Sequence, residues 1–239
     1  MKLIICENYE EMSRTAARIA AETLLRKPDA LLSFAGGETP LGFVHRFADM
    51  VNSGQIDPSR AYYVSLDEWA GLSREDEGSC GLFNQKELLG RMRIPFLQAH
   101  VINGAADIEE ECRSLDGFIA AHGPLTLSVL GIGMNGHLGF NEEGVRFDLN
   151  AHVIPLSETT KRVMPKYFGE KFHPEYGISQ GIRQIMAAET VLLLASGEHK
   201  ANILREAVRG DVTNQVPASI LQTHPSCVVV ADKAAAAML

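Results

Sequence analysis

The sequence lacks the features that mark several classes of protein. It has 22 lysine and arginine residues against 30 aspartate and glutamate residues, a formal net charge of −8. It therefore has too little positive charge for sequence-independent nucleic-acid binding. No apolar run reaches 18 residues, so no transmembrane helix is expected, and the first apolar run is too short for a signal peptide. We expect neither a nucleic-acid nor a membrane partner.

Cysteine is also scarce. The four cysteines are scattered, with no Cys-x-x-Cys pair and no metal-like cluster: Cys6, Cys80, Cys112 and Cys227. In a chain of 239 residues, this pattern is typical of reduced thiols in a cytosolic protein. The sequence therefore predicts a cytoplasmic protein without a metal site.

Apolar runs alternate with helical patterns along the whole chain. Strands are predicted at 3–6, 30–34, 62–66, 125–130, 191–195 and 228–231, and helices at 8–25, 40–50, 108–119 and 199–208, with an alanine-rich helical tail. Strands that alternate with long helices indicate βαβ units. We expect an α/β fold with a mostly parallel open sheet, flanked by helices on both faces. No repeat or linker divides the chain, so residues 1–239 are predicted to form one domain.

The stretch 146–184 has no clear periodicity. Charged residues and three prolines, Pro155, Pro165 and Pro174, interrupt its pattern. A mobile segment over a binding site would have this composition, and so would an ordinary irregular excursion. Both interpretations stay open from the sequence.

The second predicted strand ends in a glycine turn. Gly36 and Gly37 are followed by Glu38 and then by Thr39, which is placed as a helix N-cap before Pro40. Free amides at a helix start, approached through glycines, form an anion site. A tight turn without a ligand is the alternative interpretation.

The third predicted strand ends in a pair of carboxylates. Asp67 directly follows the apolar run and precedes Glu68 and Trp69. Partial burial at the edge of the sheet would raise the pKa of Asp67 and suit it to act as a general base. A solvated acidic turn, with Trp69 in the core, is the alternative.

The fourth predicted strand runs into a glycine-rich segment. Within eight residues the segment presents Asn135, His137 and Glu142, a combination suited to moving protons at neutral pH. Its glycines also match G-x-G-x-x-G, the dinucleotide fingerprint. That interpretation is rejected because Gly139 discourages the required helix, and no acidic residue follows about 20 positions on at the end of a strand.

The fifth predicted strand ends before Lys200. A cation at the start of a helix can balance a bound phosphate, and a basic cluster, Lys161, Arg162 and Lys166, could do the same if it folds over the site. Exposed lysines are the alternative interpretation. Together, the four strand ends suggest a sugar-phosphate enzyme that performs proton chemistry without a metal or a dinucleotide.

At this point the chain resembles a known family, the glucosamine-6-phosphate deaminases (isomerases), in a group that also holds 6-phosphogluconolactonases. The resemblance covers nearly the full length and is strongest in 36–42, 66–69, 131–142 and 196–201. It implies aldose–ketose isomerisation with loss of ammonia, with no metal or organic cofactor. It also leaves the oligomeric state open, because relatives range from monomers to hexamers.

The resemblance also implies a role for each candidate residue. Asp67 matches the base that moves a proton between C2 and C1. His137 matches the acid/base that opens the sugar ring, oriented by Asn135 and Glu142. The positions that hold the phosphate correspond to Gly36, Gly37, Thr39, Lys166 and Lys200.

Some positions depart from the family pattern. Glu38 replaces a serine or glycine in the phosphate loop, Lys166 stands where arginine is common, and many relatives have aspartate at Asn135. The segment 66–69 together with 78–80 looks closer to the branch assigned to galactosamine-6-phosphate, so the C4 stereochemistry of the substrate stays open. The alternatives are a sugar-phosphate lactonase and a catalytically weak sugar-phosphate-binding protein.

Overall fold

A computed structural model of the protein describes residues 1–168 and 172–239. The strands are β1 (Lys2–Cys6), β2 (Leu31–Phe34), β3 (Tyr62–Val64), β4 (Asp67–Trp69), β5 (Gln98–His100), β6 (Leu127–Gly131), β7 (His152–Pro155), β8 (Tyr176–Ser179), β9 (Thr190–Ala195) and β10 (Cys227–Asp232). The α-helices are α1 (Tyr9–Arg26), α2 (Glu38–Asn52), α3 (Cys80–Phe83), α4 (Ile108–His122), α5 (Glu158–Val163), α6 (Pro165–Phe168), α7 (Ile182–Met186) and α8 (Ala201–Arg209). A π-helix spans Asn84–Leu89, and 3₁₀ turns span Glu198–Lys200 and Pro217–Thr223.

Seven strands form a parallel sheet in the order β1-β10-β9-β6-β2-β3-β5. Strands β6 and β9 lie at its centre and are almost wholly apolar, as expected for a parallel sheet that is covered on both faces. The predicted fold class is confirmed. The five predicted strands other than 62–66 lie within two residues of their observed bounds.

Helices cover both faces of this sheet. Successive residues of β9 point to opposite sides, so Leu192 joins one buried cluster and Leu193 joins the other. The Leu192 side includes Phe43 and Phe47 of α2 together with apolar residues of α1. The Leu193 side includes Leu115 of α4 and apolar residues of α7 and α8. Because the strands of this sheet are parallel, their carboxyl ends, and hence the polar loops that follow them, lie along one edge between the two layers. No helix of the described residues is long and apolar enough to cross a membrane.

The two N-terminal helices begin differently. The Asn8 side chain accepts a hydrogen bond from the Glu11 amide at 3.0 Å, so the predicted N-cap of α1 is confirmed. The prediction of Thr39 as the N-cap of α2 is wrong. Helix α2 begins at Glu38, with Gly37 at the N-cap and a φ of 103°. Because glycine adopts positive φ readily, the chain turns into the helix before it reaches Thr39.

A second sheet carries one of the candidate residues. It is antiparallel, in the order β4-β8-β7. The predicted strand 62–66 is therefore wrong at its end, because β3 stops at Val64. The Ser65 amide still bonds to His100 at 2.9 Å, but at Asp67 the chain enters β4 and pairs with Ser179. The apolar pattern of the sequence continues from β3 to the start of β4. It therefore gives no sign that the chain changes its partner strand there.

The stretch 146–184 is largely regular. It contains β7, α5, α6, β8 and α7, and residues 169–171, which belong to it, lie outside the described residues. The predicted helical tail after β10 is wrong, since residues 233–238 form turns. The Ala236 amide bonds to the Asp232 carbonyl at 2.9 Å, but the Ala237 and Leu239 amides bond only three residues back, to the Ala234 and Ala236 carbonyls, so no regular α-helix forms.

Candidate active site

Two adjoining cavities open along the carboxyl edge of the parallel sheet. Their volumes are about 400 Å³ and about 210 Å³. Asp67 and His137 line both cavities, so these two side chains stand where the cavities meet. Volumes of this size suit a small polar metabolite. This is the edge where open α/β sheets bind their ligands.

The smaller cavity is suited to an anion. Gly36, Gly37 and Thr39 line it at the start of α2, where backbone amides have no partner within the helix. Gly36 lies against the Phe83 ring, since an added Cβ would stand 3.2 Å from that ring. A side chain at Gly36 would push the loop away from the Phe83 ring. Glycine therefore lets the loop, and the amides at the start of α2, keep this position.

Helix α1 supports the first turn of α2. The Tyr9 hydroxyl accepts a hydrogen bond from the Gly42 amide at 2.7 Å and donates one to the Glu38 carbonyl at 2.9 Å. An added Cβ at Gly42 would stand 2.9 Å from the Tyr9 hydroxyl oxygen. The hydroxyl therefore ties the start of α2 to a neighbouring helix and fixes the direction of its free amides.

Lys200 also lines the smaller cavity. Its Nζ donates a hydrogen bond to the Ile132 carbonyl at 2.7 Å. Burial, together with the charge of Lys166, lowers the pKa of Lys200 to about 8. The turn before it is held by Asp232, which accepts the Gly197 amide at 3.1 Å. Lys200 is thus a positioned cation that a bound dianion would stabilise.

Of the basic cluster, Lys166 lines this cavity. Lys161 instead pairs with Glu175 at 2.6 Å. The Lys166 ammonium lies 4.0 Å from the Glu38 carboxylate, with both side chains more than half exposed. An exposed pair at this distance contributes little. Glu38 therefore points to solvent beside Lys166, and the amides of the helix start stay free.

Asp67 is a partly buried carboxylate at the start of β4. Burial raises its pKa to about 6, against smaller lowering effects from the Cys80 thiol and the charge of His137. Such a group is ionised at neutral pH and still holds a proton well once it has accepted one.

The adjacent Glu68 is fully buried and anchors β4. Its carboxylate accepts three backbone amides, from Trp69 at 2.8 Å, Cys80 at 3.0 Å and Gly81 at 2.7 Å. Burial raises the pKa of Glu68 to about 8, and the three amides act in the opposite direction. Glu68 thereby joins β4 to the start of α3 and keeps Asp67 facing the cavity.

His137 is held by a buried carboxylate. Its Nδ1 lies 3.3 Å from Oε2 of Glu142, which is 3% exposed. Burial raises the pKa of Glu142, but hydrogen bonds and the charge of His137 outweigh it and bring the pKa to about 2. An ionised carboxylate at Nδ1 selects the tautomer that leaves Nε2 free to accept a proton.

Glu142 is in turn fixed by its neighbours. The Asn135 amide donates to Oε2 at 2.8 Å. The Thr160 hydroxyl donates a short hydrogen bond to Oε1, and the Ser157 amide donates to the same oxygen at 3.3 Å. Asn135 also accepts the His137 amide at 3.3 Å. The carboxylate is therefore fixed from both sides, and so is the imidazole that it contacts.

The loop that carries these groups is not a dinucleotide loop. No helix begins between 131 and 142. A Cβ added at Gly133 would lie 2.3 Å from Nε2 of His137, so this glycine makes room for the imidazole. Within the described residues, no group of three or more histidine, cysteine, aspartate or glutamate side chains is placed to hold a metal ion.

Residues 7–230 match the family described as "Glucosamine-6-phosphate isomerases/6-phosphogluconolactonase". The chain belongs to this family. It is 38% identical over 241 residues to a glucosamine-6-phosphate deaminase of Thermoanaerobacter pseudethanolicus, covering 100% of this chain and 95% of that protein.

Solved structures of the isomerase/lactonase family share the fold. One is described as "Structure and kinetics of a monomeric glucosamine-6-phosphate deaminase: missing link of the NagB superfamily". It has a TM-score of 0.95 and 35% identity, and each chain covers 100% of the other. A 6-phosphogluconolactonase from Thermotoga maritima has a TM-score of 0.77 and 20% identity, with coverage of 97% and 99%. At that identity the likeness concerns the fold alone.

The structure brings all the predicted site residues of this family member together. Seven of them line one or both cavities: Gly36, Gly37, Thr39, Asp67, His137, Lys166 and Lys200. Asn135 and Glu142 lie behind His137 and reach the cavity through it. Of the two interpretations offered for the end of the third predicted strand, the partly buried carboxylate is the one observed. Trp69 is 4% exposed and also lines the larger cavity. It therefore packs in the core and forms part of the cavity wall at the same time.

Sequence reasoning missed three residues at the family site. Ser157 and Thr160 contact Glu142, and Tyr167 lines both cavities. A local signal existed for the first two, because a serine followed three residues later by threonine is a plausible N-cap pattern, and Ser157 does cap α5. Nothing local indicates that α5 packs on the glycine-rich loop.

Proposed function

We propose that this protein is an amino-sugar-phosphate deaminase. It converts glucosamine-6-phosphate or galactosamine-6-phosphate to the ketose 6-phosphate and ammonia. The observation that carries the proposal is the position of Asp67 and of the Glu142-held His137 where the two cavities meet. A phosphate held at the α2 end would place the reacting carbons of a hexose beside these two groups.

The proposed reaction begins with ring opening. Nε2 of His137 accepts the proton of the C1 hydroxyl and returns it to the ring oxygen, which yields the open-chain aldehyde. Glu142 stays ionised throughout, since its pKa is about 2, and it stabilises the imidazolium that forms. Asn135 keeps the carboxylate in this orientation.

Proton transfer between carbons follows in this proposal. Asp67 removes the proton from C2 while O1 gains a proton, giving an enediol-type species that carries nitrogen at C2 (an enolamine). Asp67 then delivers its proton to C1 while the nitrogen loses one, which leaves an imine at C2. Water hydrolyses this imine to the ketone, so that one water is consumed and one ammonia is released. A base with a pKa of about 6 is suited to this exchange at neutral pH, because it is ionised and yet a competent proton donor afterwards.

The phosphate is proposed to bind the start of α2 and the two lysines. Gly36, Gly37 and Thr39 line this cavity together with Lys166 and Lys200. No step needs a metal or organic cofactor. We propose that residues 1–239 act as one catalytic domain. The four free cysteines fit a cytoplasmic location.

A coupled ammonia and ketose-phosphate assay tests the proposal. It is run side by side on glucosamine-6-phosphate and galactosamine-6-phosphate, with 6-phosphogluconolactone as the third substrate. Turnover of one amino sugar by a large factor supports the reaction and assigns the C4 epimer. Hydrolysis of the lactone without release of ammonia would contradict it. Tight binding of the sugar phosphates without any turnover would instead favour a binding protein.

A further inference from the structure

The larger cavity has far more room than the proposed reaction uses. Ammonia occupies about the volume of one water, roughly 30 Å³, whereas this cavity has a volume of about 400 Å³. In the proposed reaction the phosphate binds in the smaller cavity and C2 lies beside Asp67, where the two cavities meet. The groups beyond C2 therefore enter the larger cavity, which has the size that ordinarily binds a complete small ligand.

Large apolar side chains form part of the wall of this cavity. Those that line the larger cavity and not the smaller one are Trp69, Leu82, Phe83 and Phe140. Trp69 and Phe140 pack against each other, with ring centroids 4.5 Å apart. Ammonia gains nothing from such a surface, whereas an alkyl chain is stabilised by burial against it. The wall is therefore suited to a substituent with an apolar stem.

A π-helix, Asn84–Leu89, brings two charged side chains to the same cavity, Lys86 and Glu87. The Gly90 amide closes this helix by bonding to the Gln85 carbonyl, five residues back, at 2.8 Å. Consecutive residues of an α-helix point about 100° apart, and the wider turn of a π-helix brings them closer to one direction. Such helices are rare and are frequent at functional sites, yet the proposed reaction gives this one no role.

The two side chains of the π-helix carry charges of opposite sign. The Lys86 ammonium lies 3.1 Å from the Glu77 carboxylate, with both side chains more than half exposed. An exposed pair contributes little, so Lys86 can exchange Glu77 for a carboxylate of a ligand. Oε2 of Glu87 lies 2.6 Å from Nε2 of His45. Together, Lys86 and Glu87 suit a ligand end that carries both a carboxylate and an ammonium group, as an amino acid does.

We propose that the larger cavity receives the substituent of an N-substituted amino-sugar phosphate, and that the amine released from it has an apolar stem and an amino-acid end. The inference rests on the proposed function. C1 must stay free for ring opening, so the nitrogen on C2 is the position that can carry the substituent. The apolar side chains would contact its stem, and Lys86 and Glu87 would bind its charged end.

The chemistry of the proposed reaction is the same with such a substrate. A secondary amine keeps one hydrogen on nitrogen. Loss of that proton as C1 is protonated therefore gives the imine C2=N–R. Water then adds to C2 and the C2–N bond breaks, so that one water is consumed and one primary amine, R–NH₂, is released. No oxidant or reductant is needed.

The test uses the 6-phosphates of glucosamine and galactosamine and two derivatives of each on the amino nitrogen. One derivative carries a 5-amino-5-carboxypentyl group, so that free lysine is released, and the other carries an uncharged pentyl group. Lysine and ketose phosphate should form together. The kcat/KM of the charged derivative should exceed that of the pentyl derivative by about tenfold or more, the value of one charge-assisted contact.

Two variants locate the preference for the charged derivative. Lys86→Met should remove it, because the ligand carboxylate loses its partner. Lys233→Met, which removes an exposed lysine outside both cavities, should retain it. Because the preference is a ratio measured within one variant, a general loss of folded protein does not imitate the effect. Equal kcat/KM for the two derivatives in the wild type would overturn the inference.

A second measurement needs no turnover. Sugar phosphates reduced at C1 cannot isomerise, so calorimetry measures their affinity alone. The reduced compound with the charged substituent should bind about tenfold more tightly than the unsubstituted one in the wild type and not in Lys86→Met; equal or weaker binding overturns the inference. Release of ammonia without release of lysine would refute the inference alone. Tighter binding by a protein that releases neither would refute the proposed reaction alone.

Discussion

Replacing Asp67 by asparagine should stabilise the fold while abolishing the proposed proton transfer. In the unfolded chain this carboxyl has its ordinary pKa of 3.8, and burial raises the pKa to about 6 in the folded protein. The folded state therefore binds this proton more tightly than the unfolded state does. That stabilising contribution is complete below pH 3.8 and is lost as the pH rises through 6.

The size of the effect follows from this shift. A rise of about two pKa units corresponds to about 3 kcal/mol that the charged carboxylate costs the folded state at neutral pH. Asp67→Asn has no charge to bury, so it should be more stable than the wild type by up to about 3 kcal/mol at pH 7.5. For a chain of this length, that is about 6 to 12 °C in Tm. At pH 3.5 the carboxyl is protonated in the folded state and mostly protonated in the unfolded state, so the difference should almost disappear.

The assay has two arms. Denaturant unfolding at pH 7.5 and pH 3.5 measures stability, and incorporation of deuterium at C2 of the sugar phosphate in D₂O measures proton transfer. Loss of a positioned base should slow exchange by about a hundredfold or more, with phosphate binding largely unchanged. Glu77→Gln, which removes an exposed carboxylate from the larger cavity, is the matched control. A variant with no stability gain at pH 7.5 would refute the burial argument, and retained exchange would refute the role of Asp67.

Three further perturbations probe the rest of the site. Lys200→Ala should raise KM about tenfold or more and change kcat less, because a phosphate contact serves ground and transition states alike. The KM of the wild type should rise above pH 8 as Lys200 loses its proton. An unchanged KM in Lys200→Ala would contradict a role for Lys200 in binding the phosphate. Glu142→Gln should lower kcat about a hundredfold by releasing His137, as measured by the rate of ring opening; retained kcat would argue against the carboxylate's role. Tyr9→Phe should weaken the binding of inorganic phosphate several-fold in calorimetry, about the value of one hydrogen bond, and leave kcat unchanged. Tyr176→Phe is the control. Equal affinity in Tyr9→Phe would show that the Tyr9 hydroxyl is not needed to position the first turn of α2.

Local patterns predicted most of the parallel sheet. Strand β9 is apolar and buried from Val191 to Ala195, a pattern that predicts a buried strand whatever surrounds it. The Asn8 cap of α1 uses only the amide of Glu11, three residues on. The glycine-rich loop was also recognised from local sequence, because Asn135, His137 and Glu142 are close along the chain. Predictions failed where local preference met a competing contact. The start of α2 moved to Glu38 because of the positive φ of Gly37.

The parts of the site that depend on distant partners were not predicted. Thr160 is 18 residues from Glu142 and Lys200 is 68 residues from Ile132, and no pattern in the sequence reports such contacts. The change of sheet at Asp67 is similar, because it is set by pairing with Ser179. That pairing is what gives the carboxylate its partial burial and its raised pKa.

The sequence by itself determined the alternation of strands and helices, the polar groups at each strand end and the family, because periodicity and short motifs are local properties of the chain. Only the tertiary structure decided that four strand ends share one pair of cavities, that His137 is held by an ionised Glu142, and that Lys161 lies apart from Lys166. Burial and electrostatics depend on distances between residues remote in sequence, and these distances exist only once the chain has folded.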